Sequence, residues 1–281
     1  MLSCANSKKE EVKEEADTTS VKSQIYPKLP ESVLFCGKTI SLDNFDIRER
    51  LDKEIIVNTY YHSSTIQSFK RANRYFNRIE AELKDKGVPE DFKYLCLIES
   101  GLTQAISPSG AQGFWQFMPA TAKEYGLLVN DEIDERLNVE KSTTAACAYL
   151  KKANSSLNDW VLTAAAYNRG VGGITKDLRS QEVDSYFDLH LNSETSRYVF
   201  RILALKLIFE NPEAYGFNIS ELELYEPIPT RSVELIESQS NLKHWAKEKG
   251  SNYHMLKVLN PWIRGNKLTV KSSSFTIQLP Q

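Results

Sequence analysis

Residues 67–86 read QSFKRANRYFNRIEAELKDK, and Phe69, Ala72, Phe76, Ile79 and Leu83 recur at spacings of three and four. That period places them on one stripe of an amphipathic helix. Gly87 and Pro89 close it and open the next, over 90–100, where Phe92, Tyr94, Leu95, Cys96, Leu97 and Ile98 are apolar on every side. A helix of this kind is buried rather than laid on a surface. Similar patterns predict helices over 119–126, 140–153, 159–167 and 194–210, with no alternating, strand-like segment before about residue 222. Beyond that point LELYEPIP (222–229) and VELIES (233–238) precede helical stretches over 241–250 and 253–263, and FTIQLP closes the chain over 275–280. A strand, two short helices and a strand are expected there. The predicted fold class is mainly α, an all-helical domain followed by a small α+β module.

At 281 residues the chain has room for about two domains. It carries 35 Lys and Arg against 37 Asp and Glu, a formal charge of −2, which gives no support to a nucleic-acid binder driven by phosphate neutralisation. No run of 18 apolar residues occurs, so the sequence holds no membrane-spanning helix. Cys4, Cys36, Cys96 and Cys147 stand far apart and form no CxxC, which disfavours zinc ribbons and thioredoxin-type sites. Cys96 and Cys147 lie on apolar helix faces and read as small buried hydrophobes, with a bridge between them left open. None of the four histidines falls between residues 63 and 189. A histidine-based triad built locally in that stretch is excluded, and no metal or cofactor is expected. Gly170, Gly172 and Gly173 resemble a phosphate loop only superficially; with no strand before them they read as a turn. Residues 5–24 mix both charges with few apolar side chains and read as a disordered tether.

The candidate chemistry centres on Glu99. At 100° per residue it lies in line with Phe92, Leu95 and Cys96, so it is partly desolvated, and it sits in the last turn of its helix, where the dipole disfavours a negative charge. Both effects raise a carboxyl pKa, as a general acid near neutral pH requires. Taken alone, the position suits equally a helix-terminal glutamate that reaches water. Downstream, residues 101–122 read GLTQAISPSGAQGFWQFMPATA, in which glycines precede a cluster of amides and aromatics suited to sugar rings and N-acetyl groups. Glu99 is the sole carboxylate between Asp91 and Glu124, so a two-carboxylate glycosidase would draw its partner from elsewhere.

Glu99-Ser100, SPSGAQGFWQFMPATA over 107–122 and AYNRG over 166–170 resemble, in order, the motifs of the soluble-lytic-transglycosylase domain of the goose-lysozyme-like glycosidase family 23. ETSRYV over 194–199, the apolar helix 202–207 and NPEAYGF over 211–217 are similar to its membrane-bound lytic transglycosylase D branch. The resemblance covers about residues 65–217. It departs from the family at Phe114-Trp115-Gln116, where many members carry Leu-Met-Gln, and a different subsite shape is expected. The implied organisation is a tether over 1–24, a helical extension over 25–88, a lysozyme-like catalytic domain over 89–217 and a LysM-like module over 218–281. The usual Gly-Asp-Thr opening of that module is replaced by Ser238-Gln239-Ser240. Both glycan binding and a packing role stay open for it.

What the resemblance implies is cleavage of the bond between N-acetylmuramic acid and N-acetylglucosamine without water. Glu99 would act as acid, then as base on the C6 hydroxyl. Ser107 and Gln116 would bind N-acetyl or hydroxyl groups, Phe117 and Met118 would line the cleft, Tyr167 would hydrogen-bond Glu99, Asn168 would position the same wall, and Tyr198 offers a second hydroxyl. Read without the resemblance, Tyr167 and Asn168 suit a helix end, Tyr198 a core and Gln116 loop backbone. The implied partner is peptidoglycan, met by a monomer without nucleic acid. Ser3-Cys4 ahead of a polar tether resembles a lipoprotein processing site, although only three residues precede Cys4. A lipidated Cys4 would place the protein in the periplasm on the outer membrane. A hydrolase acting on peptidoglycan or chitin, and a non-catalytic wall-binding scaffold, are the competing readings.

Overall fold

The structure is a computed structural model that describes residues 27–271 and 274–281. Cys4 and the 1–24 segment lie outside the described residues. The first element corrects a sequence expectation. Strands β1 (Ser32–Phe35) and β2 (Lys38–Ser41) form an antiparallel hairpin well before residue 222. Four-residue strands are too short for alternation to stand out, yet Val33, Phe35 and Ile40 all point into the core. The turn residues Cys36 and Gly37 both take positive φ, 50° and 81°. The Cys36 amide donates to Oδ2 of Asp91 at 2.6 Å, which pins the hairpin to the segment just ahead of Phe92.

Helix α1 (Phe45–Tyr60) is capped by Asn44, whose Oδ1 accepts from the Asp46 amide at 2.9 Å. It packs on α8 (Ser193–Glu210), and Glu54 of α1, almost fully buried, pairs with Arg197 of α8 at 2.6 Å. Helix α2 (His62–Asp85) buries Ala72, Ile79 and Leu83, three positions of the predicted stripe. Helix α3 (Phe92–Ser100) runs through the interior with Phe92 and every residue from Tyr94 to Ile98 buried, as its all-round apolar sequence requires. Gly101, at φ 59°, ends it by donating its amide to Leu97 O at 2.8 Å. That stop leaves Glu99 in the final turn.

Helix α3 packs against α2 and α8, and α4 (Pro119–Glu124), α5 (Val139–Leu157) and α6 (Trp160–Arg169) follow it along the chain. The expected turn at Gly170–Gly173 is instead the start of a helix, α7 (Val171–Gln181); Gly170, at φ 77°, joins it to α6. Two glycines in the first turn hide it from propensity, while buried Ile174 anchors it. A single core runs from Val33 to Phe217 and contains Cys96 and Cys147, both buried and free, so no bridge joins them. No helix among the described residues is long and apolar enough to cross a membrane.

The C-terminal residues have their own core of Leu235, Leu242, Trp245, Leu256, Ile263, Ile277 and Leu279. Strand β3 (Thr230–Leu235) pairs antiparallel with β4 (Phe275–Pro280), Val233 opposite Ile277, and α9 (Leu242–Glu248) and α10 (Tyr253–Leu259) lie between them in sequence. The strand thus begins after LELYEPIP, where Pro227 and Pro229 remove ladder donors. Asn260, fully buried, locks α10 to β4: its Nδ2 donates to Leu256 O and Gln278 O, and its Oδ1 accepts from the Gln278 amide. The two cores meet at residues 132–134. Ile133 is buried in the C-terminal core, the Asp134 amide donates to Trp262 O at 2.8 Å and the Arg264 amide to Glu132 O at 2.9 Å.

Candidate active site

Glu99 projects from the end of α3 toward α8. The Tyr198 hydroxyl donates to its Oε1, and one turn further along α8 the Arg201 guanidinium donates to Ile98 O at 3.2 Å. Part of the Glu99 side chain opens to solvent, but its carboxyl is closely surrounded by protein. Burial therefore raises its pKa, and the Tyr198 hydrogen bond and the Arg201 charge pull only partly the other way; Glu194 adds to the rise. A proton held beyond the ordinary carboxylate range is what a general acid needs.

The aromatic wall is built from the loop between α3 and α4. Trp115, fully buried, donates its indole N–H to Thr143 Oγ1 of α5 at 2.9 Å, and its carbonyl accepts from the Tyr167 hydroxyl of α6 at 2.8 Å. Tyr167 thus holds the loop, and the hydroxyl on Glu99 belongs to Tyr198, where the family resemblance implied Tyr167. The reason is geometric: α6 brings Tyr167 to the loop carbonyl, while α8 crosses the end of α3. Both phenols are buried beside Glu99, and burial drives their pKa values well above the usual tyrosine range. Each stays a neutral donor.

The remaining expected residues divide into two groups. Phe117 is buried edge-on to Tyr167, with ring centres 6.3 Å apart, while Met118 is 42% exposed beside it and is free to meet a ligand. Asn168 joins α6 to α8, its Nδ2 donating to Glu194 Oε1 at 3.0 Å and its Oδ1 accepting from Thr195 Oγ1 at 2.8 Å. Ser107 and Gln116 shape the loop. Ser107 Oγ accepts from the Ala111 amide at 2.9 Å, and Gln116, at φ 49°, donates Nε2 to Ala105 O and Gly113 O. Arg136 ties down the same loop from behind: its Nη1 donates to Gly110 O at 2.8 Å and to Phe117 O at 3.1 Å, and it is paired with Asp134, both buried. Sequence reasoning missed Arg201 and Arg136, and it quoted Glu194 only as part of a motif. The available signal for Arg201 was its position three residues past Tyr198, on the same helix face. Among the described residues no cluster of three or more His, Cys, Asp or Glu could hold a metal.

Residues 76–188 match the family model described as the Transglycosylase SLT domain. The chain carries an SLT domain. Behind it, residues 231–281 match the soluble lytic transglycosylase C-terminal LysM-like domain. Over 241 residues the chain is 30% identical to the membrane-bound lytic murein transglycosylase D of Escherichia coli (strain K12), covering 84% of this chain and 52% of that protein. A 119-residue stretch is 30% identical to a putative tributyltin chloride resistance protein of Alteromonas sp. (strain M-1), covering 42% of this chain and 58% of that one. The chain spans about half the length of the curated relatives it matches. Among solved structures, an inactive mutant of the lytic transglycosylase Slt from Pseudomonas aeruginosa is 22% identical, covering 54% of this chain and 26% of that one at a TM-score of 0.41. The SLT match takes in Glu99, the 101–118 loop and Tyr167, while Glu194, Tyr198 and Arg201 stand on the helix just beyond it.

Proposed function

We propose that this protein is a peptidoglycan lytic transglycosylase with Glu99 as its single acid and base. The observation that carries the reading is a carboxyl at the end of α3 whose pKa burial raises and whose Oε1 accepts from Tyr198, within an SLT domain. Glu99 gives its proton to the glycosidic oxygen as the C1–O bond of N-acetylmuramic acid breaks. The resulting carboxylate then takes the proton of that sugar's C6 hydroxyl, whose oxygen closes on C1 to give a 1,6-anhydro end. No water is consumed and Glu99 is regenerated. Ser107 and Gln116 hold the loop that contacts the sugar, Phe117 and Met118 form its apolar floor, Tyr167 anchors that floor and Asn168 aligns α8. A periplasmic site of action, with Cys4 lipidated, follows from the same reading.

One observation favours a hydrolase as the second reading: Glu194 lies close enough to act electrostatically on Glu99, and a second carboxylate is what activation of water requires. Mass spectrometry of fragments released from purified peptidoglycan separates the two. Anhydro products, one water lighter than hydrolytic ones and lost in Glu99→Gln, are expected. Reducing-end products lost in the same variant would make the enzyme a hydrolase, and no products from wild type would overturn both readings.

A further inference from the structure

A cleft of about 410 Å³ lies where the two cores meet. One wall is made by Arg74 and Arg78 of α2, Gln104 and the first turn of α5; the other by Val258, Trp262 and Phe275 of the C-terminal module. Glu99, Tyr167 and Tyr198 take no part in it. Its cations outnumber its acids: Arg74, Arg78 and Lys141 line it with one carboxylate, Glu140. Each cation is held in place. Arg74 donates Nε to Glu226 O and lies over the Tyr225 ring, Arg78 pairs with Glu140 at 3.1 Å, and Lys141 pairs with buried Glu135. The N-terminus of the 19-residue α5 opens on the same space and favours an anion there.

An independent feature points to a ligand. Gln104 donates Nε2 to Leu137 O at 2.9 Å, yet its Oε1 is buried and meets no donor among the described residues. A buried acceptor without a donor is costly, and a ligand N–H satisfies it. Opposite stand an exposed Val258 and the Trp262–Phe275 pair, ring centres 5.7 Å apart. The occupant must therefore bring an anion to the basic rim, an N–H to Gln104 and aliphatic carbon to the far wall. A neutral glycan lacks the anion. A short peptide with carboxylates has all three.

We propose that this cleft binds a short acidic peptide, and, resting on the murein reading above, that the peptide is the stem carried by the glycan strands. The cleft would hold a strand's peptide while Glu99 acts on its sugars. Calorimetric titration of the full chain with the tripeptide L-alanyl-γ-D-glutamyl-diaminopimelate tests this, using wild type, Arg78→Glu and Val258→Glu. Saturable binding that weakens with salt and falls at least tenfold in both variants is expected, while peptide-free glycan is cleaved at the wild-type rate by all three. No saturable binding to wild type, or binding unchanged in both variants, overturns the proposal. Tripeptide binding by a wild type that leaves murein intact would sink the murein reading and keep the acidic-peptide cleft; cleavage of murein without tripeptide binding would do the reverse.

Discussion

Tyr198, in the second turn of α8, donates its hydroxyl to Oε1 of Glu99 in the last turn of α3. Against the dominant effect of burial, this bond is the largest influence lowering the Glu99 pKa. Tyr198→Phe keeps the ring and removes the donor, so the Glu99 pKa rises further. An enzyme that needs Glu99 protonated loses activity as pH climbs through that value. The alkaline limb of the pH–rate profile therefore moves to higher pH in Tyr198→Phe, and kcat at the optimum falls roughly 10- to 100-fold. An unmoved limb would show that Tyr198 does not act on the proton of Glu99.

Arg201 acts on the same carboxyl by charge and on Ile98 O by hydrogen bond. Arg201→Leu should shift the alkaline limb in the same direction as Tyr198→Phe, with kcat reduced and KM little changed, because the side chain holds the acid rather than the sugar. Arg201→Lys keeps the cation and should restore most of the profile. A KM effect without a shifted limb would contradict the assignment.

The raised pKa of Glu99 has a consequence for stability. Its pKa is higher in the folded protein than in the unfolded chain. Its contribution to stability is complete below the unfolded value and is lost as pH rises through the folded one. Glu99→Gln retains an acceptor for Tyr198 and carries no charge to bury. The variant should melt above wild type at pH 7, by about a few degrees, with the difference gone near pH 4. Equal melting temperatures at pH 7 would mean that the buried carboxyl costs nothing.

The helices that hold this site were legible because their apolar residues repeat at three and four, and the interior place of α3 followed from side chains apolar on all faces. The β1–β2 hairpin was not, since two four-residue strands give no usable alternation, and α7 was masked by Gly172 and Gly173. The partial burial of Glu99 and its place in a last turn were legible, but the position alone also suited a plain helix end, and the role came only from the order of the motifs. Which tyrosine reaches Glu99 was not legible, because that depends on how α6 and α8 cross α3, a long-range relation that motif order does not encode. Ser107 and Gln116 show the same limit: their hydrogen bonds to Ala111, Ala105 and Gly113 come from the fold of the loop.

Gly113 sits at φ 80° against the next segment. A Cβ placed there would lie 2.0 Å from Arg136 O, a backbone atom that cannot swing aside. Gly113→Ala combines a strained φ with a backbone clash and should cost about 2–4 kcal/mol. The loop carrying Trp115 to Met118 would shift with it, so activity should fall even at temperatures where the variant stays folded. Denaturant titration with parallel assays checks both; a fully active variant of wild-type stability would refute the close contact.

Asp134 and Arg136 form a buried pair, with side chains 1% and 3% exposed and nitrogen and oxygen 2.7 Å apart. Such a pair is poor evidence of net stabilisation, but removing one member leaves a buried charge. In Arg136→Met, Asp134 keeps the backbone amide of residue 136 and, as its cation, the half-exposed Arg264 at 3.4 Å, and a loss of about 3–5 kcal/mol follows. Gly110 O and Phe117 O lose their shared donor as well. The two effects separate in the double variant Asp134→Asn/Arg136→Met. Neutralising Asp134 removes the stranded charge and should return part of the stability, whereas the loop still lacks the Arg136 tie to Gly110 O and Phe117 O and activity should stay low. Recovery of activity together with stability would mean that Arg136 serves the fold alone and has no part in holding the wall beside Glu99.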